Sequence, residues 1–543
     1  MHTDVTAVAK HDTTEQSAAV PPSTWRAALA GLLAALAALA AGELLAALVD
    51  GARSTVTSIG TAVIDLAPPA LKDAAIETLG TADKPVLIAT VLVVLAVAAM
   101  GAGVAAARRL WLGVAGVVGL GLVGLAAAVA DPSATGVAAV LPALAAIVAG
   151  VGSLWWLMHT LHATTRVAGA GGETTDSGDA DTATDDDTGR RAFLQAATTV
   201  GGLALGAGVA GRWLIRQAET STAPATAPFP SPDVTLEPVP ADASLGVDGV
   251  TPFVTPNADF YRIDTALQVP TVNVDQWTLR IHGMVDNPIE LTYDELLDNE
   301  VVEADITLAC VSNEIGGDLV GNARWRGIRL ADVLDKAGVQ SGADQLVGRS
   351  VDGFTAGSPV ETVLDGRESL IAIGMNGAPL PRIHGFPARL VVPGLYGYVS
   401  ATKWLTELEL TTFDAFDAYW IPRGWAAQAP IKTQSRIDVP RPLTTIAPGT
   451  VAVAGVAWAQ TRGITKVEVK VDDGPWEETR LSAEVGKDTW RQWVYEWEAS
   501  PGRHELRVRA TDSTGEPQPA DRVPPRPDGA TGRHNIIVTV ADN

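Results

Sequence analysis

One cysteine stands in the 543 residues of this chain: Cys310, within ADITLACVSNEIGGDLVGNARWRG (304–327). Ile306 and Leu308 lead into it with the alternation of a strand, and a polar, glycine-rich turn follows. A thiol at a strand end admits three chemistries. It can be a small core hydrophobe, a nucleophile, or a ligand for a soft or transition metal. A chain that otherwise avoids cysteine forms no intrachain disulfide, so the residue neither demands nor forbids an oxidising compartment.

The elements around Cys310 fall into two unlike halves. Apolar residues make up 47% of the chain, yet Gly, Pro and Trp are also abundant, a mixture expected of a membrane part joined to a soluble part. The formal charge of −23 argues against nucleic acid, which selects basic surfaces. Residues 1–22 are polar and expected to be disordered. Four runs of spanning length follow between residues 23 and 165: 25–49, 85–107, 110–130 and 136–158. The stretch 50–84 contains APPA and suits an extramembrane or re-entrant hairpin. An acidic, low-complexity linker (166–190) precedes a fifth span within 191–216. Arg108–Arg109 and Arg190–Arg191 both belong in the cytoplasm by the positive-inside rule, which places the amino terminus inside and everything after about residue 216 outside. GRRAFLQAATTVGG, which opens the fifth span, reads either as a twin-arginine export signal or as an ordinary helix with positive flanks. Only His159 and His162 lie near a span, both at one end of the fourth, so no haem is expected in this chain. Glu43 is the exception among spans nearly devoid of ionisable groups, which leaves a transporter reading without support.

A Pro/Ala/Thr-rich linker (217–245) is expected to be extended. Residues 246–438 read as an α+β domain. WTLRIHGMV alternates as a strand, TYDELLDN opens a capped short helix, and RGIRLADVLDKAG is amphipathic and stops at Gly338. Residues 439–543 hold short alternating strands with turn signals, such as Val467, Val469 and Val471 before Asp473-Gly474. That pattern predicts an immunoglobulin-like β-sandwich.

Five motifs occur in order: TPNADFYR (255–262), ITLACVSN (306–313), GNARWRGIRLADVL (321–334), HGFPARLVVPGLYGYVSATKWL (384–405) and APIKTQSRI (429–437). Together they resemble the sulfite oxidase family of molybdopterin enzymes, which includes bacterial periplasmic methionine-sulfoxide reductase subunits. The resemblance runs from about residue 250 to 543 and implies that Cys310 is the one protein ligand to molybdenum. It further implies that His384, Arg389 and Lys403 hold the pterin and its phosphate, where Arg grips by parallel bonds and Lys acts as a point charge. Asn257, Phe260, Tyr261, Asn313 and Ser400 fall on cofactor-flanking positions, although turn formation is an equal reading for each asparagine. One extra residue between Ser400 and Lys403 departs from the family's spacing. The sandwich matches the family's dimerisation domain and implies a possible homodimer.

For the substrate, Arg262, Tyr419 and Arg462 fall on or near the family's active-site positions. Glu314, in CVSNE, stands where the family has an arginine, and a carboxylate there opposes a dianion. Arg324 or Arg326 can compensate or can be salt-bridge residues. The expectation is therefore a membrane-anchored, extracytoplasmic molybdenum oxidoreductase that oxidises sulfite and trades electrons with a cytochrome or a quinone-linked protein. Sulfoxide reduction is the alternative. A metal-free sensor or assembly protein on the same fold is the reading from another class.

Overall fold

The computed structural model describes residues 23–49, 51–68, 71, 78, 82–132, 136–170, 183–220 and 228–542. It divides into two compact units, residues 1–67 with 74–215, and residues 68–73 with 216–543.

The first unit is helical. Its helices are α1 (Thr24–Leu48), α2 (Thr55–Leu66), α3 (Asp83–Arg108), α4 (Leu110–Ala130), α5 (Leu141–Ala170) and α6 (Ala183–Thr220). Among the described residues, five helical stretches are long and apolar enough to cross a membrane, matching the five expected runs. Small residues let the backbones close up. A Cβ on Gly31 of α1 would lie 2.1 Å from the Ala99 carbonyl of α3, and one on Gly103 would lie 2.1 Å from that of Ala27. The hairpin expected between the first two spans contains α2, which Ser54 caps by accepting the Thr57 N–H. A buried ion pair, Arg53 to Asp131 at 3.3 Å, ties the start of α2 to the end of α4. The expected disorder of residues 1–22 and the centre of the acidic linker, 171–182, lie outside the described residues. The linker is shorter than expected, because α5 runs on to Ala170 and α6 already begins at Ala183.

The second unit begins with strands β1 (Thr278–Gly283), β2 (Ile289–Thr292), β3 (Val301–Ala309), β4 (Val320–Arg329) and β5 (Gln345–Ser350). It continues with β6 (Thr355–Pro359), β7 (Leu370–Met375), β8 (Ala378–Pro379), β9 (Arg389–Val391) and β10 (Leu405–Thr411). One sheet runs β2-β1-β10-β5-β6 and another β3-β4-β7-β8, with β9 paired to β7. The two local helices form as their sequences require. Thr292 and Glu295 make a reciprocal capping box for Tyr293–Leu297. Leu330–Ala337 buries Leu330, Val333, Leu334 and Ala337, then ends at Gly338 with φ +68°.

The supposed linker is in part a strap on this domain. From residue 228 the chain lies against it. The Arg326 guanidinium sits 4.5 Å from the centre of the Phe229 ring, and Val301 O accepts the Asp233 N–H at 2.7 Å. Proline-rich composition signals extended backbone but says nothing of the surface that receives its free carbonyls; here Arg326 and Arg324 donate to those of Pro230 and Glu237. Residues 221–227 of that stretch lie outside the described ones.

The C-terminal module contains β11 (Gln434–Val439), β12 (Thr445–Ile446), β13 (Gly449–Trp458), β14 (Ile464–Val471), β15 (Trp476–Glu478), β16 (Arg480–Leu481), β17 (Arg491–Ala499), β18 (Gly502–Asp512) and β19 (Asn535–Val540). Its sheets, β11-β13-β17-β16 and β12-β19-β18-β14-β15, share one core in which Val453, Val467, Trp493, Leu506 and Val538 are fully buried. The module starts at Gln434, earlier than the boundary of 439 drawn from sequence. It is not a free appendage, because Trp458 and Trp490 enter the core of the preceding domain and Trp490 Nε1 donates to Phe253 O at 2.8 Å.

Candidate functional site

Cys310 follows β3 directly and opens a tight loop to Leu319. Its N–H donates to Leu319 O at 2.9 Å, and Asn313 Oδ1 accepts the Leu319 N–H at 2.9 Å. The C-terminal module fixes this loop and its strand. Arg436 Nη1 donates to Gly317 O at 2.8 Å, and the His534 ring packs against Gly316. Along β3, Thr307 N–H donates to Asp488 O, Gln460 donates to Thr307 O, and Thr307 Oγ1 accepts the Trp490 N–H.

The thiol is 6% exposed and lines a cavity of about 730 Å³, mouth included. Phe260, Tyr261, His384, Arg389 and Lys403 line the same cavity, so the structure brings together six residues singled out from sequence. Burial pushes the Cys310 thiol up, with Ser312 Oγ at 3.4 Å opposing, and burial followed by Cys310 itself pushes the Tyr261 phenol up strongly. The buried His384 Nε2 lies 2.9 Å from the Asn257 carbonyl. A nitrogen facing a carbonyl carries the proton, and burial holds the ring at about 4, so the imidazole is neutral at pH 7 and its Nδ1 is an acceptor.

Arg389 is the telling residue. It is 5% exposed and packs 5.0 Å from the Trp325 ring centre. Its hydrogen bonds go to carbonyl oxygens, those of His384 at 3.1 Å, Leu390 at 3.4 Å and Ala401 at 3.5 Å. Among the described residues no carboxylate pairs with it. Burial pulls its guanidinium down to about 10, the response of a cation that lacks an anion. Lys403, 8% exposed, donates to Asp264 Oδ2 at 2.7 Å and to Ile383 O at 3.3 Å. A thiol and two buried cations facing one cavity suit a metal held by a thiolate together with an anionic phosphate-bearing ligand, and the residues present fit such a cofactor.

Other candidates are placed elsewhere. Asn257 and Ser400 turn to backbone: Asn257 donates to Met375 O at 3.3 Å, and Ser400 Oγ to Tyr396 O at 3.0 Å. Asn313 serves the cysteine loop through Oδ1, and its Nδ2 is buried without a hydrogen-bond partner. Arg262 is not in the lining but pairs with Asp264, which is, its Nε donating at 2.9 Å. Arg462 is held by Asp512 at 2.8 Å and by Ile431 O at 2.9 Å, within the C-terminal module's turn. Tyr419 does not line the cavity but touches Phe354 and Trp420, which do. Arg324 and Arg326 pair with Asp305 and Glu303, the residues opposite them in the β3–β4 register, so neither replaces the arginine missing at Glu314.

Sequence reasoning missed Asp264, Asp352, Phe354, Tyr398, Trp404 and Trp420 in the lining. Only Asp264 left a local signal: in extended chain it shares a face with Arg262.

A family model described as an oxidoreductase molybdopterin binding domain matches residues 266–420. Human mitochondrial sulfite oxidase is 30% identical over 325 residues, 50% of this chain and 58% of that protein. The chain thus spans little more than half the length of that relative. The uncharacterized oxidoreductase YuiH of Bacillus subtilis is 32% identical over 153 residues, 28% of this chain and 74% of YuiH. Among solved structures, the sulfane dehydrogenase SoxCD from Paracoccus pantotrophus superposes with a TM-score of 0.48 at 22% identity, covering 55% of this chain and 85% of that one.

Proposed function

The chain belongs to the sulfite oxidase family of molybdopterin-dependent oxidoreductases, and on that premise we propose that it is a membrane-anchored enzyme of two-electron oxo transfer at sulfur. The observation that carries this is the convergence of the Cys310 thiol with buried Arg389 and Lys403 on one cavity. A molybdenum-pterin group supplies the oxo and electron chemistry when bound. The protein's own residues hold and shield it. Cys310 Sγ would give the single thiolate, Arg389 and Lys403 would meet the phosphate, and neutral His384 would stand beside the pterin as an acceptor. Phe354, Tyr398 and Trp420 line the same cavity with aromatic surface that disfavours water.

The apolar helices anchor the chain, and the arginine pairs at 108–109 and 190–191 put the catalytic domain outside. Arg190 and Arg191 also stand where a twin-arginine export signal would have them, a route that delivers a folded, loaded domain. The C-terminal module is an immunoglobulin-like sandwich and the surface for a homodimer. A cytochrome or quinone-linked protein exchanges the electrons.

Sulfite, oxidised to sulfate, is the first substrate to test, because the animal relatives are sulfite oxidases. Sulfoxide reduction is favoured by a separate observation. Arg262, Arg324, Arg326 and Arg462 each already hold a carboxylate, while six aromatic side chains other than His384 line the cavity. Elemental analysis of the purified chain beside Cys310→Ser tests the enzyme reading, with about one molybdenum per chain expected and lost in the variant. Metal-free wild type from a cofactor-competent host would favour the sensor reading instead. Sulfite with an artificial acceptor, against methionine sulfoxide with a reduced dye, then separates the two reactions.

A further inference from the structure

Asp264 is out of character with its surroundings. Its side chain is 5% exposed, yet it puts a carboxylate into the cavity that also holds the buried cations Arg389 and Lys403. A single oxygen, Oδ2, accepts Lys403 Nζ at 2.7 Å and Arg262 Nε at 2.9 Å. We propose that Asp264 is a positioning residue: it holds Lys403 as an ammonium inside the cavity and ties Arg262 beside it, so that the anionic end of the cofactor meets fixed positive charge. The proposal rests on the functional reading above and adds a residue that the family match, which begins at residue 266, does not reach.

The environment of Lys403 shows why it needs help. Its remaining contacts are the Ile383 carbonyl at 3.3 Å and the Trp404 ring, 4.8 Å from Nζ, and neither carries a full countercharge. Of the charged groups that act on Lys403, Arg389 and Arg262 repel an ammonium, and the neighbouring His384 is neutral at pH 7. Burial and those two arginines pull Lys403 down, Asp264 pulls it up, and the balance is about 8. A base at that value is mostly charged at pH 7 and loses its proton as pH rises through 8. With the carboxylate gone, every remaining influence but the carbonyl and the ring pushes the same way, and the amine loses its proton at a lower pH.

The test compares wild type, Asp264→Asn and the double variant Asp264→Asn/Lys403→Arg, each as the full chain in detergent. Bound molybdenum and pterin are measured after dialysis at pH 6.0 and pH 7.5. Wild type is expected to retain both at either pH. Asp264→Asn is expected to keep them at pH 6.0 and to lose at least about fivefold at pH 7.5, and Lys403→Arg, whose charge does not titrate in this range, should restore retention. A pH profile for Asp264→Asn that matches wild type would overturn the proposal. So would an equal loss at both pH values without rescue by arginine, since that marks a structural role only. A second readout is independent of loading. In chain produced without molybdate, labelling of Lys403 by an amine-reactive reagent should begin at lower pH in Asp264→Asn than in wild type, and coincident profiles would refute the idea. Wild type that carries no molybdenum would instead sink the functional reading, while the labelling still decides the part played by Asp264.

Discussion

Acid should unlock the cysteine loop through His534. The ring lies between Gly316 of that loop and β11, and its Nδ1 accepts the Ile437 N–H at 3.0 Å. A second proton has to go onto Nδ1, which turns an acceptor into a donor that faces a donor. Burial and then Arg436 hold this histidine at about 4, against an ordinary value of 6.5, with Asp438 opposing. Because the folded value is the lower one, the stabilisation is complete above pH 6.5 and is lost as pH falls through 4. At about 1.4 kcal/mol per pH unit, the displacement amounts to roughly 3 kcal/mol. His384, also held at about 4 by burial, acts with the same sign and a similar size. His504, raised by its hydrogen bond to Asp472, acts the other way and is common to every variant. The assay is the urea midpoint of the full chain in detergent, followed by tryptophan fluorescence between pH 7 and 4.5. His534→Gln keeps a carbonyl to accept the Ile437 N–H but cannot titrate. Between pH 6 and 4.5 it should lose about 1.4 kcal/mol per pH unit less than wild type. Superimposable slopes would refute the reasoning.

Gly316→Ala should be severe. The position has φ +82°, and the new Cβ would lie 2.3 Å from the His534 ring, so strain and overpacking together cost about 2–4 kcal/mol, read as a lower urea midpoint with less bound molybdenum. Arg462→Met separates a structural arginine from a substrate-binding one. Loss of its bonds to Asp512 and the Ile431 carbonyl should remove about 1–2 kcal/mol and lower the melting temperature by several degrees, with KM for the sulfur substrate within about twofold of wild type. A large rise in KM at unchanged melting temperature would return Arg462 to the site.

Local features of the fold were open to reading in the sequence because their causes are local. The capping box at Thr292 and Glu295, the stop at Gly338 and the turn near Asp473-Gly474 each depend on neighbours a few residues apart. The gathering of Cys310, His384, Arg389 and Lys403 on one cavity was legible for a different reason, since the four sit in motifs that travel together. What stayed hidden was partnership across the chain. Asp264 meets Lys403 over 139 residues and Arg462 meets Asp512 over 50, and spacing alone carries no record of either. The aromatic lining was hidden as well. Tyr419 and Trp420 are adjacent, and the Tyr419 N–H is held by Thr355 Oγ1, 64 residues away in sequence, while Trp420 lines the cavity. Proline and alanine around residue 230 announced an extended path, but the aromatic–guanidinium contact of Phe229 with Arg326 decides that the path is a strap.

The bonds from Asp488, Trp490 and Gln460 onto Thr307 set an order of events in synthesis. A ribosome releases Cys310 long before the residues that cover its strand, so the nascent domain waits with a bare β edge until the C-terminal strands emerge. A message truncated before Gln460 therefore yields sticky, insoluble product rather than a feebler catalyst. Recovery of metal then doubles as a check that translation passed Trp490.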